Sequence, residues 1–236
     1  KRNYSFLGFI GVIVEPLLIT LIYLIILKLI RTNIDFGLNT ILFFSTGILI
    51  FSFFTSILNR SANAIEANKN LFYYKKVKPI DTVIARSFIE ISLLIIVYSL
   101  ILLIVFYINN EIILENLPRL LLVFSLVTII SFSVGLIAII LIEKFEYLRN
   151  LIPLLSRPLF FTSGVIFSIN IVPYEFRKFL LWNPLLHAIE IARNSLDNEY
   201  LLNEQISISY LFYTTLIIFW VAIFNYMKNE RYLLRK

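Results

Sequence analysis

Cysteine is absent from this chain, which rules out a disulfide framework, a cysteine nucleophile and any thiolate metal site. Histidine occurs once, at His187, and a single imidazole cannot build a zinc cluster. Charge is scarce as well: Asp, Glu, Lys and Arg make up 15% of the residues, against roughly 25% in an ordinary soluble domain. No GxxxxGK[ST] phosphate loop is present, so no ATP hydrolysis is expected from this chain. A TVGYG-like selectivity filter is missing too. So is a carboxylate cluster able to hold a metal and a sugar nucleotide, as a membrane glycosyltransferase would need. No internal repeat is evident, which weakens the case for an ion-coupled secondary transporter built from duplicated halves.

What is abundant is apolar side chain. Hydrophobic residues are 59% of the total and mean hydropathy is +0.87, more than a soluble protein of this size can hide. The natural solvent is lipid. A crossing needs about 20 mostly apolar residues, and about six segments qualify: 9–30, 38–58, 88–108, 120–142, 151–171 and 208–227. The first run is too long for a signal peptide and has no small-residue cleavage site after it. The expected fold is therefore an all-α integral membrane protein with one transmembrane domain over 1–236.

The net charge of +6 and pI near 9.4 would suggest nucleic acid in a soluble domain. Here the basic residues flank apolar runs, and membrane orientation is the better reading. Most of them lie at the two termini and in loops 59–87 and 143–150. The other side holds only Lys28, Arg31, Arg119, Arg177, Lys178 and Arg193. Both termini are expected in the cytoplasm.

Two connections are too long for simple turns. In loop 59–87, Leu58, Ala62, Ile65 and Phe72 recur at helical spacing with Arg60, Glu66 and Lys69 on other faces, the pattern of a short amphipathic helix. Pro79 marks a turn, and Asp81 or Thr82 can cap the following helix. Segment 172–207 is rich in aromatics and broken by Pro173 and Pro184. It reads either as two short helices that dip into the outer leaflet and return, or as an interfacial aromatic belt.

Charged groups within apolar runs are the sharpest signals, because each costs about 2.5–3.5 kcal/mol at a helix centre on insertion scales. Glu15, followed by Pro16, either lines a polar path or reaches the headgroups. Arg157 either binds a substrate phosphate or pairs with Glu15 or Glu90. Glu90 lies one turn after Arg86, and an i,i+4 pair is the simplest account of it. Lys75, Lys76 and Lys78 are either an anion-binding patch or positive-inside topology alone. The 16% aromatic content suits a glycan path, since rings stack on the apolar faces of sugars, although lipid contact explains any single Phe as well. His187 is expected to be structural.

The stretch Arg60-Ser61-Ala62-Asn63-Ala64-Ile65-Glu66-Ala67-Asn68, followed by Val77-Lys78-Pro79-Ile80-Asp81-Thr82 and Ala85-Arg86, resembles the cytoplasmic loop of capsular polysaccharide ABC-exporter permeases. Arg157-Pro158-Leu159-Phe160-Phe161-Thr162-Ser163-Gly164 resembles their fifth span. Leu181-Trp182-Asn183-Pro184-Leu185-Leu186-His187, with Glu190 and Arg193, resembles their external re-entrant region, and Gly11 through Glu15-Pro16 resembles the start of their first span.

The resemblance implies an ABC-2 type permease with a cytoplasmic coupling helix and external re-entrant helices. It would pair with a second copy of itself and with two ATPase chains that carry the ATP and Mg, moving lipid-linked polysaccharide out across a bacterial inner membrane. Periplasmic or outer-membrane export proteins are further implied partners; nucleic acid is not, and no cofactor is expected on this chain. By resemblance, Glu66, Asn68, Lys69, Pro79 and Asp81 form the ATPase-coupling region. Glu15, Arg157, Phe160 and Phe161 are channel candidates, and Trp182, Asn183, Pro184 and His187 the external gate. Related permeases for O-antigen, teichoic acid or a drug fit the same features, and an ion-coupled secondary transporter and a non-transporting scaffold are the rivals from other classes.

Overall fold

The computed structural model describes residues 38–68, 77–109 and 114–233, together with positions 14, 17–19, 21, 22 and 25 of the first apolar run. Every element among them is helical: α1 (Thr40–Ala62), α2 (Ala64–Ala67), α3 (Pro79–Asn109), α4 (Leu117–Lys144), α5 (Leu148–Thr162), α6 (Tyr174–Leu180), α7 (Pro184–Leu196) and α8 (Ile208–Leu233), with a 3-10 turn at Ile169–Ile171. Asparagines start three of these helices. The side chains of Asn39, Asn116 and Asn183 accept the amide hydrogens of Ile41, Arg119 and Leu185, which would otherwise be orphaned at helix N-termini.

Helix α1 is the centre of the bundle. Nearly all of Leu42–Phe54 is buried against α3, α4 and α7. The outer helices show one-sided burial. On α8, Leu211, Thr215, Ala222 and Tyr226 face inward, while Tyr213, Ile217, Trp220 and Phe224 are exposed. On α3, Leu94, Val97, Tyr98, Ile101 and Val105 are buried, and Ile96, Leu103 and Tyr107 are exposed. Apolar residues on both faces of a helix are what a membrane span requires, one face for protein and one for lipid. Four described helices, α1, α3, α4 and α8, are long and apolar enough to cross. Most of their buried hydroxyls are satisfied within the helix, as Ser131 is on the Val127 carbonyl at 2.7 Å, or between helices, as Thr46 is with Tyr98 at 3.0 Å; Ser61 and Tyr226 are the exceptions among the described residues.

The first expected span lies largely outside the described residues; of its described positions, Leu17 and Ile19 pack on the core. The apolar stretch 151–171 does not form one continuous helix. Helix α5 begins at Leu148 and ends at Thr162, so its 15 residues rise only about 22 Å. Gly164 then adopts φ +65, a left-handed conformation that stops a helix.

Polar interactions gather at two ends. One holds 114–119, the turn after α5, and α6 and α7; there the Glu115 and Asn116 amides donate to the Leu196 and Ser195 carbonyls. The opposite, basic end holds α2, the α4–α5 turn and the end of α8, where the Tyr232 hydroxyl donates to the Glu143 carbonyl.

Candidate functional site

The end containing α6 and α7 is organised around Asn183. Its Oδ1 caps α7 while its Nδ2 donates to Ser163 Oγ at 2.9 Å, so one side chain joins the start of α7 to the end of α5. Pro184 occupies the first turn of α7, where its missing amide hydrogen costs nothing. His187 follows one turn later and is buried. Its Nε2 donates to the Leu181 carbonyl at 2.9 Å and its Nδ1 accepts the Ser207 amide at 3.1 Å, which together select the neutral Nε2–H tautomer. Burial lowers its pKa below the ordinary histidine value, opposed by the Leu181 contact. The ring lies 4.6 Å from that of Tyr210, whose hydroxyl donates to the Trp182 carbonyl. The Trp182 side chain itself is exposed. The backbone or side chains of all four gate candidates thus meet in one turn that ties α5, α7 and α8 together.

One turn deeper on α7 lies a group that sequence reasoning treated only as part of a resemblance. Arg193 and Glu190 are both fully buried and form an i,i+3 ion pair at 3.2 Å. Arg193 also donates to four backbone carbonyls: Phe43 (3.2 Å) on α1, and Gly164 (2.9 Å), Val165 (2.7 Å) and Phe167 (3.3 Å) in the turn after α5. Glu190 accepts the Ile169 amide through Oε1 and the Tyr200 hydroxyl through Oε2 at 2.8 Å. Ser168 completes the set 2.9 Å from the Tyr200 oxygen. Burial pushes the Glu190 carboxyl upward; Arg193, Tyr200 and the Ile169 amide oppose that shift. The arrangement is a clamp on 164–169, within the stretch 151–171 that the sequence offers as a fifth span. By sequence Arg193 is one of the external basic residues and part of the stretch that resembles the re-entrant region, with no buried role implied. The available signal is its three-residue spacing from Glu190 within the mostly apolar run 185–192.

The basic end carries the coupling candidates. Glu66 is exposed on α2 and forms an ion pair with Arg149 in the first turn of α5. Asn68 closes α2 by donating from Nδ2 to the Ala64 carbonyl at 2.8 Å. Pro79 is buried at the start of α3, and Asp81 Oδ2 accepts the Lys78 amide at 2.8 Å, capping that helix. Lys78 Nζ reaches Glu230 of α8 at 2.8 Å, and this carboxylate holds the amine above its ordinary pKa. Lys69, Lys75 and Lys76 lie outside the described residues.

The expected Arg86–Glu90 pair does not form. Glu90 turns toward α1 and lies 2.9 Å from Arg60 Nε, while Arg86 makes no ion pair among the described residues. The face of α3 that carries Glu90 is the one packed on α1, and this tertiary contact overrides the local spacing. With Glu90 engaged, Arg157 is exposed on α5 without an ionic partner among the described residues, and Glu15 lies outside them. Phe160 packs edge-on against Phe51 of α1 at 5.2 Å, whereas Phe161 is exposed. Of the three described channel candidates, Phe160 thus faces α1 while Arg157 and Phe161 are exposed. Among the described residues no three of His, Asp and Glu converge as a metal group would need.

The sequence profile described as ABC-2 type transporter matches residues 1–196. The polysialic acid transport protein KpsM of Escherichia coli is 36% identical over 228 residues, 97% of this chain and 88% of that protein. The capsule polysaccharide export inner-membrane protein BexB of Haemophilus influenzae is 28% identical over 191 residues, covering 80% and 71% of the two chains. The capsule polysaccharide export inner-membrane protein CtrC of Neisseria meningitidis serogroup A is 27% identical over 187 residues, covering 79% and 71%.

Proposed function

Since the chain belongs to the ABC-2 type transporter family, we propose that it is the membrane subunit of an exporter of lipid-linked capsular polysaccharide in a bacterial inner membrane. The observation that carries this reading is the 36% identity to a polysialic acid transport protein along 97% of the chain. The subunit works as a pair of identical copies with two ATPase chains, which bind ATP and Mg, docked on the basic, cytoplasmic end. Periplasmic or outer-membrane export proteins receive the glycan on the far side.

Exposed Glu66, the end of α2 closed by Asn68 and the capped start of α3 suit the docking face. A push there passes to α5 through the Glu66–Arg149 pair and, at the other end of α5, to the gate through Ser163 and Asn183. ATP binding moves these parts only insofar as it favours one arrangement of the permease over another.

The test is deletion of the gene in its host, with surface glycan measured before and after complementation, and co-purification of the full chain with its ATPase. Loss of surface glycan, its accumulation inside, and a stable complex whose ATPase rate changes with Glu66→Ala support the reading. Unchanged surface glycan, or transport that survives loss of the ATPase and collapses with the ion gradient, overturns it.

A further inference from the structure

A cleft of about 300 Å³ opens between α1 and α3 toward their basic ends. This volume is at the lower end of the roughly 300–1,000 Å³ of small-molecule sites. Its α1 wall carries a polar stripe beside Leu49 and Phe53: Ser52, Thr55, Ser56, Asn59 and Arg60 recur at i, i+3, i+4, i+7 and i+8 on one face of a mostly apolar helix. Its opposite wall holds Leu93 and Val97 of α3, with Glu90 at the basic end.

The polar groups are incompletely satisfied. Arg60 Nε is 2.9 Å from Glu90 Oε1, but its hydrogen is directed to Ser56 Oγ at 3.1 Å. Glu90 Oε1 therefore has a cation beside it and no aligned hydrogen-bond donor, although Glu90 is only 4% exposed. Asn59 Oδ1 is buried without a donor as well. Two acceptors that lack donors in a membrane helix pair are costly unless something supplies them.

We propose that this cleft is a saccharide subsite of the exporter, holding a mono- or disaccharide unit of the glycan; the proposal rests on the polysaccharide-export reading. The chemistry selects the ligand. Glu90 and Asn59 need hydroxyl donors, and Arg60, half-exposed, offers guanidinium hydrogens to ring or hydroxyl oxygens. Leu93 and Val97 offer an apolar surface to the carbon–hydrogen face of a sugar ring. A metal or ammonium ion is disfavoured because Arg60 already supplies the cation. An acyl chain would leave the polar wall unpaired, and a bare phosphate would meet Glu90. A polyhydroxylated ring with one polar edge and one apolar face matches both walls.

The test places a benzophenone amino acid at Ser56, or at Ser52 in a second strain, in the full-length chain expressed in its own host with its ATPase. Leu103, exposed on the outward face of α3, is the control position. After illumination the purified permease is digested and the cross-linked peptides are read by tandem mass spectrometry, in which attached sugar gives diagnostic oxonium fragments and lipid phosphate does not. Expected is a sugar-bearing adduct at Ser56 or Ser52 and none at Leu103, falling about tenfold with Asn59→Leu, as loss of a buried acceptor predicts, while the complex with the ATPase stays intact. Adducts that carry lipid phosphorus without sugar, equal labelling at Leu103, or labelling indifferent to Asn59→Leu overturn the subsite. If export requires the chain but neither serine position captures sugar, the subsite alone falls. If surface glycan persists without the chain, the export reading falls with it.

Discussion

The guanidinium of Arg193 lies 3.6 Å from the centroid of the Phe43 ring, so a charge carried on α7 rests on an aromatic face of α1, the most buried of the four described helices long enough to cross a membrane. A desolvated cation–π contact of this kind is worth about 2 kcal/mol or more. The same side chain binds Glu190 and four carbonyls, which makes it the point where α1, α7 and the turn after α5 are joined.

Arg193→Met should destabilise the protein by about 3–5 kcal/mol, the usual result of stranding one partner of a buried ion pair. If the pair alone mattered, Glu190→Leu in the same chain would restore most of that loss. The carbonyls of Gly164, Val165 and Phe167, which lie outside any helix, would still lose their donor in the double variant, so little rescue is expected. Thermal unfolding in detergent of both variants and of the pair measures this. Full recovery in the double variant would show that the carbonyl contacts carry no weight.

Stability should also fall in acid through His187. The folded pKa is lowered by burial, so the unfolded chain binds the proton more readily. The stabilising contribution is complete above the unfolded value of about 6.5 and is lost as pH falls through it toward the lower folded pKa. The contact that fails is identifiable: a proton on Nδ1 would face the Ser207 amide hydrogen, which now donates to that nitrogen. Melting temperatures compared at pH 7.5 and pH 5 should show the decrease in wild type and a flatter dependence in His187→Gln. Equal slopes would remove His187 as the cause.

Glu66 should matter for coupling and hardly at all for folding. Its side chain is 68% exposed, and exposed ion pairs contribute about 0–1 kcal/mol. Glu66→Ala should therefore leave the melting temperature nearly unchanged while export per ATP hydrolysed drops about tenfold, within the usual range of coupling energies. Exchanging the charges, Glu66→Arg with Arg149→Glu, should recover part of the export if the contact with α5 transmits the movement. No recovery, with the ATPase still bound, would place the role of Glu66 at the ATPase contact alone.

Much of this architecture was legible in the chain. Apolar runs located α1, α3, α4 and α8, because a membrane span is specified by length and hydropathy with little help from tertiary contacts. The breaks at Pro173 and Pro184 were legible for the same local reason, and Asp81 caps α3 as its position suggested. What escaped depended on which face of a helix meets which neighbour. Glu90 has Arg86 at helical spacing, yet its side chain points at α1, and only packing decides between Arg86 and Arg60. The early end of α5 had a local signal, Ser163-Gly164, hidden by the apolar residues that follow. The burial of Arg193 had almost none, since its partners are mostly backbone carbonyls, which no residue pattern reveals.

Those carbonyls also make Gly47 a position where one methyl group should be decisive. A Cβ built on Gly47 would lie 2.7 Å from the Val165 carbonyl oxygen and 2.9 Å from Arg193 Nη2. Neither neighbour can retreat cheaply, because the oxygen belongs to backbone that Arg193 holds and the guanidinium is fixed by its other contacts. At Gly135 the nearest atoms belong to the Ser61 side chain, whose hydroxyl can rotate away. Gly47→Ala should therefore cost about 1–3 kcal/mol through overpacking, and Gly135→Ala less. The loss at Gly47 should be localised: hydrogen exchange at the Ile169 amide should accelerate as Glu190 and Arg193 shift, while the amides of α8 stay protected. Uniform loosening across α8 would mean that the clamp and the bundle unfold as one unit, and that the turn after α5 has no independent freedom to act as a gate.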